Sequence, residues 1–383
     1  MKWKTVRAEE YCDSVRDGTH DTPKPVERGY KLVTGKHIKN GQIDSTDAYY
    51  ISEKDYKKIN ERSKVEKWDV LMSMIGNGLG RSSVVKNEPN YAIKNIALFK
   101  IGEEKKAKWL HYYLSSPQGQ GLIYNSLQGS GQPFISLSFL RDLPIPLPTT
   151  TFLEKSVEIL SCYDELIENN QKQIKLLEEA AQRLYKEWFV DLRFPGYEDV
   201  EIINGVPEGW SKELIGDVIG KIPRTKQIKI AEYLREGIIP IVDQSRDFIA
   251  GYSNDTEALV DIGIPVIVFG DHTRILKYIQ FPFAKGADGT QLIVSNRDNM
   301  PQSLLYLSLI GVDLSNYHYA RHFKYLKAES ILVPSQGIAD KFDNLVTPML
   351  IQIQKLRDKC NKSSRARDSL LPRLMSGELE VRL

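Results

Sequence analysis

The sequence predicts an α+β protein made by internal duplication: two globular mixed α/β units, each followed by a long helix, with the two helices paired as a coiled coil. Three observations carry this. Residues 152–189 and 338–375 both show a seven-residue apolar period. The segments around them repeat in the same order at an offset of roughly 190 residues. The intervening stretches read as short strands separated by turns. The resulting divisions are 1–150 for the first unit, 151–190 for the central helix, 191–336 for the second unit and 337–383 for the C-terminal helix.

Residues 152–189 contain no Gly and no Pro. They are rich in Leu, Glu, Lys, Gln and Ala, whose side chains lose little rotamer freedom in a helix. Leu153, Leu160, Ile167, Ile174, Ala181 and Trp188 share one heptad position; Ser156, Tyr163, Asn170, Leu177 and Leu184 share the position three further on. A helix with so narrow an apolar seam requires another helix, and at ~1.5 Å per residue it is roughly 57 Å long. Asn170, polar on that seam, is placed to fix register. Tyr185, Trp188 and Phe189 at one end either dock a partner or pack on the neighbouring unit.

The C-terminal helix supplies the matching seam. Ala339, Val346, Ile353, Cys360, Arg367 and Leu374 occupy one heptad position, and Phe342, Met349, Leu356, Ser363 and Leu370 the other. Ser363 and Arg367 are polar intrusions. Pro348 either begins the main helix, with Thr347 as N-cap, or kinks it; Pro372 and Gly377 end it.

In chain order, Trp3 opens the first unit, and residues 17–23 form a polar loop. Residues 31–43 read as strand, basic turn and strand, and residues 68–75 as a buried strand running into the glycine loop 76–81. A returning strand follows at 82–85, and another at 91–101. Residues 109–124 read as a helix interrupted at Ser116 and Pro117. The loop 128–132 is Gly-rich, and 143–148 is a proline-stiffened lead into the central helix. After the connector 190–209 the order begins again. Residues 210–214 answer 3–7, 264–270 answer 70–76, 283–285 answer 91–93, and 331–334 answer 145–148. The chain reads as a duplicated pseudo-dimer.

Composition narrows the class. A length of 383 residues suits two units, and a 41% hydrophobic share gives each a core. No apolar run approaches the ~18 residues of a membrane span, and the polar start does not resemble a signal peptide. Cys12, Cys162 and Cys360 lie far apart and form neither a disulfide framework nor a metal knuckle, which fits a reducing cytoplasm. The net charge of +2 means that a nucleic-acid binder would have to segregate its charge onto faces. There is no P-loop and no pair of adjacent prolines, so the Asn/Asp-Pro-Pro-aromatic motif of amino-methyltransferases is absent. Glu103, Glu104 and Lys105 form a triplet expected by chance in so charged a chain. The 76–80 loop reads as a plain turn, and His272, with no second His at ligand spacing, as a polar loop residue. No catalytic residue, metal set or cofactor site emerges.

The positive signal is a set of polar and basic loop residues. The first unit carries Lys36, His37, Lys39, Asn40, Asn77, Arg81, Lys86 and Gln132. The second carries Gln244, Arg246, His272, Arg274, Lys285, Gln291, Tyr319, Arg321, His322 and Lys324. Arg and Lys suit phosphates and guanine edges, and Asn and Gln pair with adenine.

At this point the chain resembles the specificity subunit of type I restriction–modification systems. The segments that carry the resemblance are residues 166–170 through 184–189, residues 367–378, and Pro207-Glu208-Gly209-Trp210. The resemblance implies two target-recognition domains, each reading one half of an interrupted double-stranded DNA site. It implies that antiparallel long helices act as a ruler between them. It further implies no catalysis in this chain, two methyltransferase subunits that methylate adenine with S-adenosylmethionine, and restriction/translocase subunits that join the complex. The rival from another class is a protein-binding scaffold of two modules on a coiled coil. Binding to mixed duplex DNA that weakens steeply with salt separates the two.

Overall fold

The computed structural model describes residues 3–379 except 40, 77, 130, 287 and 318–320. The chain falls into two compact units, Met1–Ile167 with Asn361–Leu383, and Glu168–Cys360. The long helices are Thr150–Tyr185 and Gln336–Ser376. Each unit therefore contains the beginning of one long helix and the end of the other, packed antiparallel.

In the first unit Lys4–Arg7 pairs antiparallel with Pro144–Leu147. A four-stranded antiparallel sheet runs in the order Ser14–Asp17, Ile96–Lys100, Val70–Ser73, Ser82–Val84. Val70–Ser73 is buried along its whole length, its apolar run Val70-Leu71-Met72 followed by a buried Ser73. A second sheet sets Tyr30–Thr34 between Tyr50–Ile51 and a parallel partner, Tyr91–Lys94. Helix Glu104–Ser115 brings Trp109 into the core, fully buried, with its indole N–H donating to the Pro146 carbonyl at 3.0 Å. Leu153, Val157 and Leu160 of one long helix share that core with Leu371, Leu374 and Met375 of the other.

The second unit repeats the plan. Ser211–Leu214 pairs antiparallel with Ser330–Val333. Val266–Gly270 is flanked by Leu276–Ile279 and Thr290–Ile293, and Ile239–Val242 lies parallel to Phe283–Lys285. The repetition extends to register. Lys4 faces Leu147 and Arg7 faces Pro144, while Ser211 faces Val333 and Leu214 faces Ser330. These are the positions that the sequence repeat equates.

Every seam position of the central helix from Leu153 to Trp188 is buried or half-buried. In the second unit Asn170 is 8% exposed and hydrogen-bonds the Cys360 thiol, and Arg357 donates to Glu178 at 2.7 Å. In the first, Arg367 donates to Asp164 at 2.7 Å, so the polar seam intrusion is an ion pair. Trp188 and Phe189 are buried against Phe342, at ring separations of 5.6 and 4.9 Å. They therefore pack on their own unit.

Four expectations are corrected. The second long helix starts at Gln336 and passes through Pro348, whose exposed ring loses one backbone bond on the solvent side without ending the helix. Thr347 does not cap it; its hydroxyl donates to Asp343 one turn back at 2.6 Å. Pro372 is likewise helical, and the helix stops at Gly377, where φ is +70°. The strand expected over 91–101 is two strands broken at Asn95, with φ +53°.

Candidate nucleic-acid interface

In the first unit Lys36, Arg81 and Gln132 lie on loops at the Ser73 end of Val70–Ser73, and Lys86 lies at its other end. Loop 74–81 folds back, with Gly80 N–H on the Ser73 carbonyl and Ser73 N–H on the Arg81 carbonyl, both 2.9 Å. Phe134 bridges both Ile75 and Gln128, which holds the Gly-rich loop beside it. Arg81 and Gln132 are exposed on these loops. The 35–43 hairpin lies against the same edge, where Ser83 donates to the Gly41 carbonyl at 2.8 Å. It carries exposed Lys36 and Lys39, each 3.8 Å from a carboxylate, Asp47 and Asp44 respectively. Lys86 is exposed beyond the returning strand. Asn40 and Asn77 lie outside the described residues.

His37 is corrected to an interior role. It is 1% exposed, and Nδ1 accepts the Thr34 N–H at 2.8 Å, closing the turn that carries Lys36. Burial lowers its pKa, against the pull of Asp47. His322 is corrected in the same way. It is 4% exposed, and its ring nitrogens lie 2.9 Å from the carbonyls of Asp271 and Tyr317.

In the second unit three segments converge: the end of Ile239–Val242, the turn after Val266–Gly270, and the loop before Thr290–Ile293. Gln244 joins them. Its amide accepts the His272 N–H at 3.1 Å and donates to the Asp288 carbonyl at 2.8 Å, while its own carbonyl accepts the Thr273 hydroxyl at 2.7 Å. Arg274 sits at φ +59° with its guanidinium on the Leu314 carbonyl at 2.9 Å. Gln244 and Arg274 are therefore braces as well as surface residues. Gln291 is half-buried in its strand opposite Phe269. Lys285 is half-buried, and burial lowers its pKa while Asp288 opposes the shift. Arg246, His272, Arg321 and Lys324 are exposed, and Tyr319 lies outside the described residues. Among the described residues, Arg246, Arg321 and Lys324 have no carboxylate within salt-bridge distance. They are available to phosphates.

Asp288 and Gln227 were missed by sequence reasoning. Gln227 donates to the Asp288 carboxylate at 3.1 Å and ties segment 221–229, with Arg224, to this cluster. The Asp288-Gly289 dipeptide, a turn signature, was the available signal. Glu103 and Lys105 of the chance triplet pair separately, with Lys106 and with Glu154. No group of three or more potential metal ligands gathers among the described residues, and no helix there is long and apolar enough to cross a membrane.

The fold defines a class: a duplicated α+β module whose two copies are each completed by both long helices. Comparison with known proteins finds similar chains. Residues 1–179 match the type I restriction modification DNA specificity domain. The chain is similar to the type I restriction enzyme MjaIX specificity subunit of Methanocaldococcus jannaschii, 27% identical over 302 residues, 72% of this chain and 69% of the relative. It is also similar to the putative MjaX specificity subunit of that organism, 22% identical across 99% of this chain and 94% of the relative. The type I restriction–modification S subunit from M. genitalium shares the fold, with a TM-score of 0.59 at 14% identity over 97% of this chain and 96% of that one. The chain is thus similar to the specificity subunits of type I restriction–modification systems, and its first 179 residues carry the matching domain.

Proposed function

We propose that this chain is the DNA-recognition subunit of a type I complex, each unit reading one half of an interrupted site. The supporting observation is the repetition of one module with the same strand register, each copy carrying exposed basic side chains on loops at strand ends. Such loops suit phosphate positioning and base readout in the major groove. The paired helices act as the ruler. Their length caps the half-site separation at ~57 Å, with one DNA turn of ~34 Å expected if both readers face one side. The chain is non-catalytic and works in the cytoplasm. Two methyltransferase subunits supply S-adenosylmethionine-dependent adenine methylation, and restriction/translocase subunits join them.

The test is genome-wide adenine methylation after co-expression with the cognate methyltransferase subunit. One interrupted motif of fixed spacing is expected, and replacing residues 1–150 with another such unit changes one half only. A soluble complex that leaves no motif refutes the proposal.

A further inference from the structure

The turn 271–274 of the second unit is held on every side. Asp271 N–H donates to the Gly289 carbonyl at 2.7 Å, and the Asp271 carboxylate accepts the Phe323 N–H at 2.7 Å. The Asp271 carbonyl accepts the His322 N–H at 2.9 Å. His272 N–H and Thr273 Oγ1 both bond Gln244, and Arg274 N–H closes on the Gly270 carbonyl at 2.7 Å. The side chains of Asp271, Thr273 and Arg274 are each consumed by a backbone partner. His272 alone differs. Its ring is exposed and makes no hydrogen bond or ion pair among the described residues.

A rigid turn that spends three of its four side chains on its own geometry and leaves one imidazole free is a presenting device. Preorganised support of this kind is what a sequence-reading contact needs, because a mobile ring would give up its ordering entropy on each encounter. Gly289 is part of the support. A Cβ there would stand 2.7 Å from His272 Cδ2 and 2.8 Å from the Gln244 amide, and φ is +83°. The ring thus packs directly over a backbone with no side chain. Exposed Arg246, Arg321 and Lys324 of the same unit are suited to phosphates, which leaves the imidazole for a base edge.

We infer that His272 reads a purine in the half-site of the second unit, donating a ring N–H to N7, or to O6 of guanine, and that Gln244 and Gly289 are its positioning residues. This rests on that unit being a DNA half-site reader.

The experiment maps adenine methylation by the full chain with its methyltransferase subunit, comparing wild type with His272→Ala, Gln244→Ala and Gly289→Ala. His272→Ala is expected to relax one purine position of the half-site that survives the 1–150 exchange, with discrimination there falling about ten-fold. The other half-site and the spacer stay unchanged. Gln244→Ala and Gly289→Ala, with His272 intact, relax that same position, which a merely structural defect would not do. A full motif retained by His272→Ala, or methylation lowered evenly at all sites as for a phosphate contact, overturns the inference alone. A wild-type complex with no interrupted motif overturns the half-site reading and the inference together.

Discussion

Asp164→Asn tests the polar end of the helix pair in the first unit. The Asp164 carboxylate accepts Arg367 Nη1 at 2.7 Å and Tyr112 Oη at 2.6 Å, so it joins both long helices and helix Glu104–Ser115 at one point. Hydrogen bonds to a charged group contribute about 1.5–3 kcal/mol net. The side chains of Arg367 and Asp164 are 28% and 27% exposed, and solvent screening moves the figure toward the lower end. The amide keeps one acceptor oxygen, so the change removes the charge and one bond of two, a loss of about 2 kcal/mol. For a unit of this size 1 kcal/mol lowers the melting temperature by about 2–4 °C, giving a fall of about 4–8 °C in that unit's transition. Scanning calorimetry of wild type, Asp164→Asn, Arg367→Met and the double variant measures it. The double variant should recover about 1 kcal/mol relative to additivity, because Met restores an apolar seam and no charge is left unpaired. A melting temperature within about 1 °C of wild type for Asp164→Asn, or strictly additive losses, would refute the ion pair as the organiser of this end.

Gly377→Ala places a Cβ 2.7 Å from the Trp3 ring at a φ of +70°; the first unit should lose about 1–2 kcal/mol in urea unfolding, while Gly337→Ala, with open space around it, stays neutral. His111 is held neutral by burial, its pKa lowered to about 4 from 6.5, with Nδ1 2.9 Å from Ser82 Oγ. The unfolded chain takes up the proton first, so this contribution is complete above pH 6.5 and is lost as pH falls from 6.5 toward 4. The urea midpoint of the first unit should fall between pH 7 and pH 5, and less so in His111→Gln. Inserting four residues into 171–175, with a matching insertion in the facing turn of the second helix, should lengthen the methylated motif's spacer and leave both half-sites intact; altered half-sites would contradict the separation of reading from spacing.

The helices were the most legible part of the chain. A heptad pattern is a local property, and Leu160, Ala181 and Val346 announce their burial by spacing alone. The repeat was legible because equivalent strands recur in equivalent surroundings; Trp3 and Trp210 flag the start of each copy. The prolines misled for the same local reason. Pro348 is a helix breaker by propensity, yet its face of the helix is exposed, and the loss of one solvent-side bond is outweighed by Val346 and Ile353 buried on the other face. The candidate site was legible as a composition and not as an arrangement. His37 and His272 carry the same side chain in similar polar loops, and one is interior while the other is free.

What the sequence by itself determined is the architecture: two modules of one plan, two long helices with complementary seams, and the absence of any signature motif of catalysis. Periodicity, propensity and repetition are encoded by neighbours along the chain. Only the tertiary structure decided which polar residues support and which are presented. Gln244 is a brace because residues 272, 273 and 288 come to it from two other segments. Asp164 is a junction because Tyr112 and Arg367 arrive from opposite ends of the sequence. A polar side chain takes its role from the hydrogen-bond partners that folding brings within about 3 Å, and those partners are set by long-range packing.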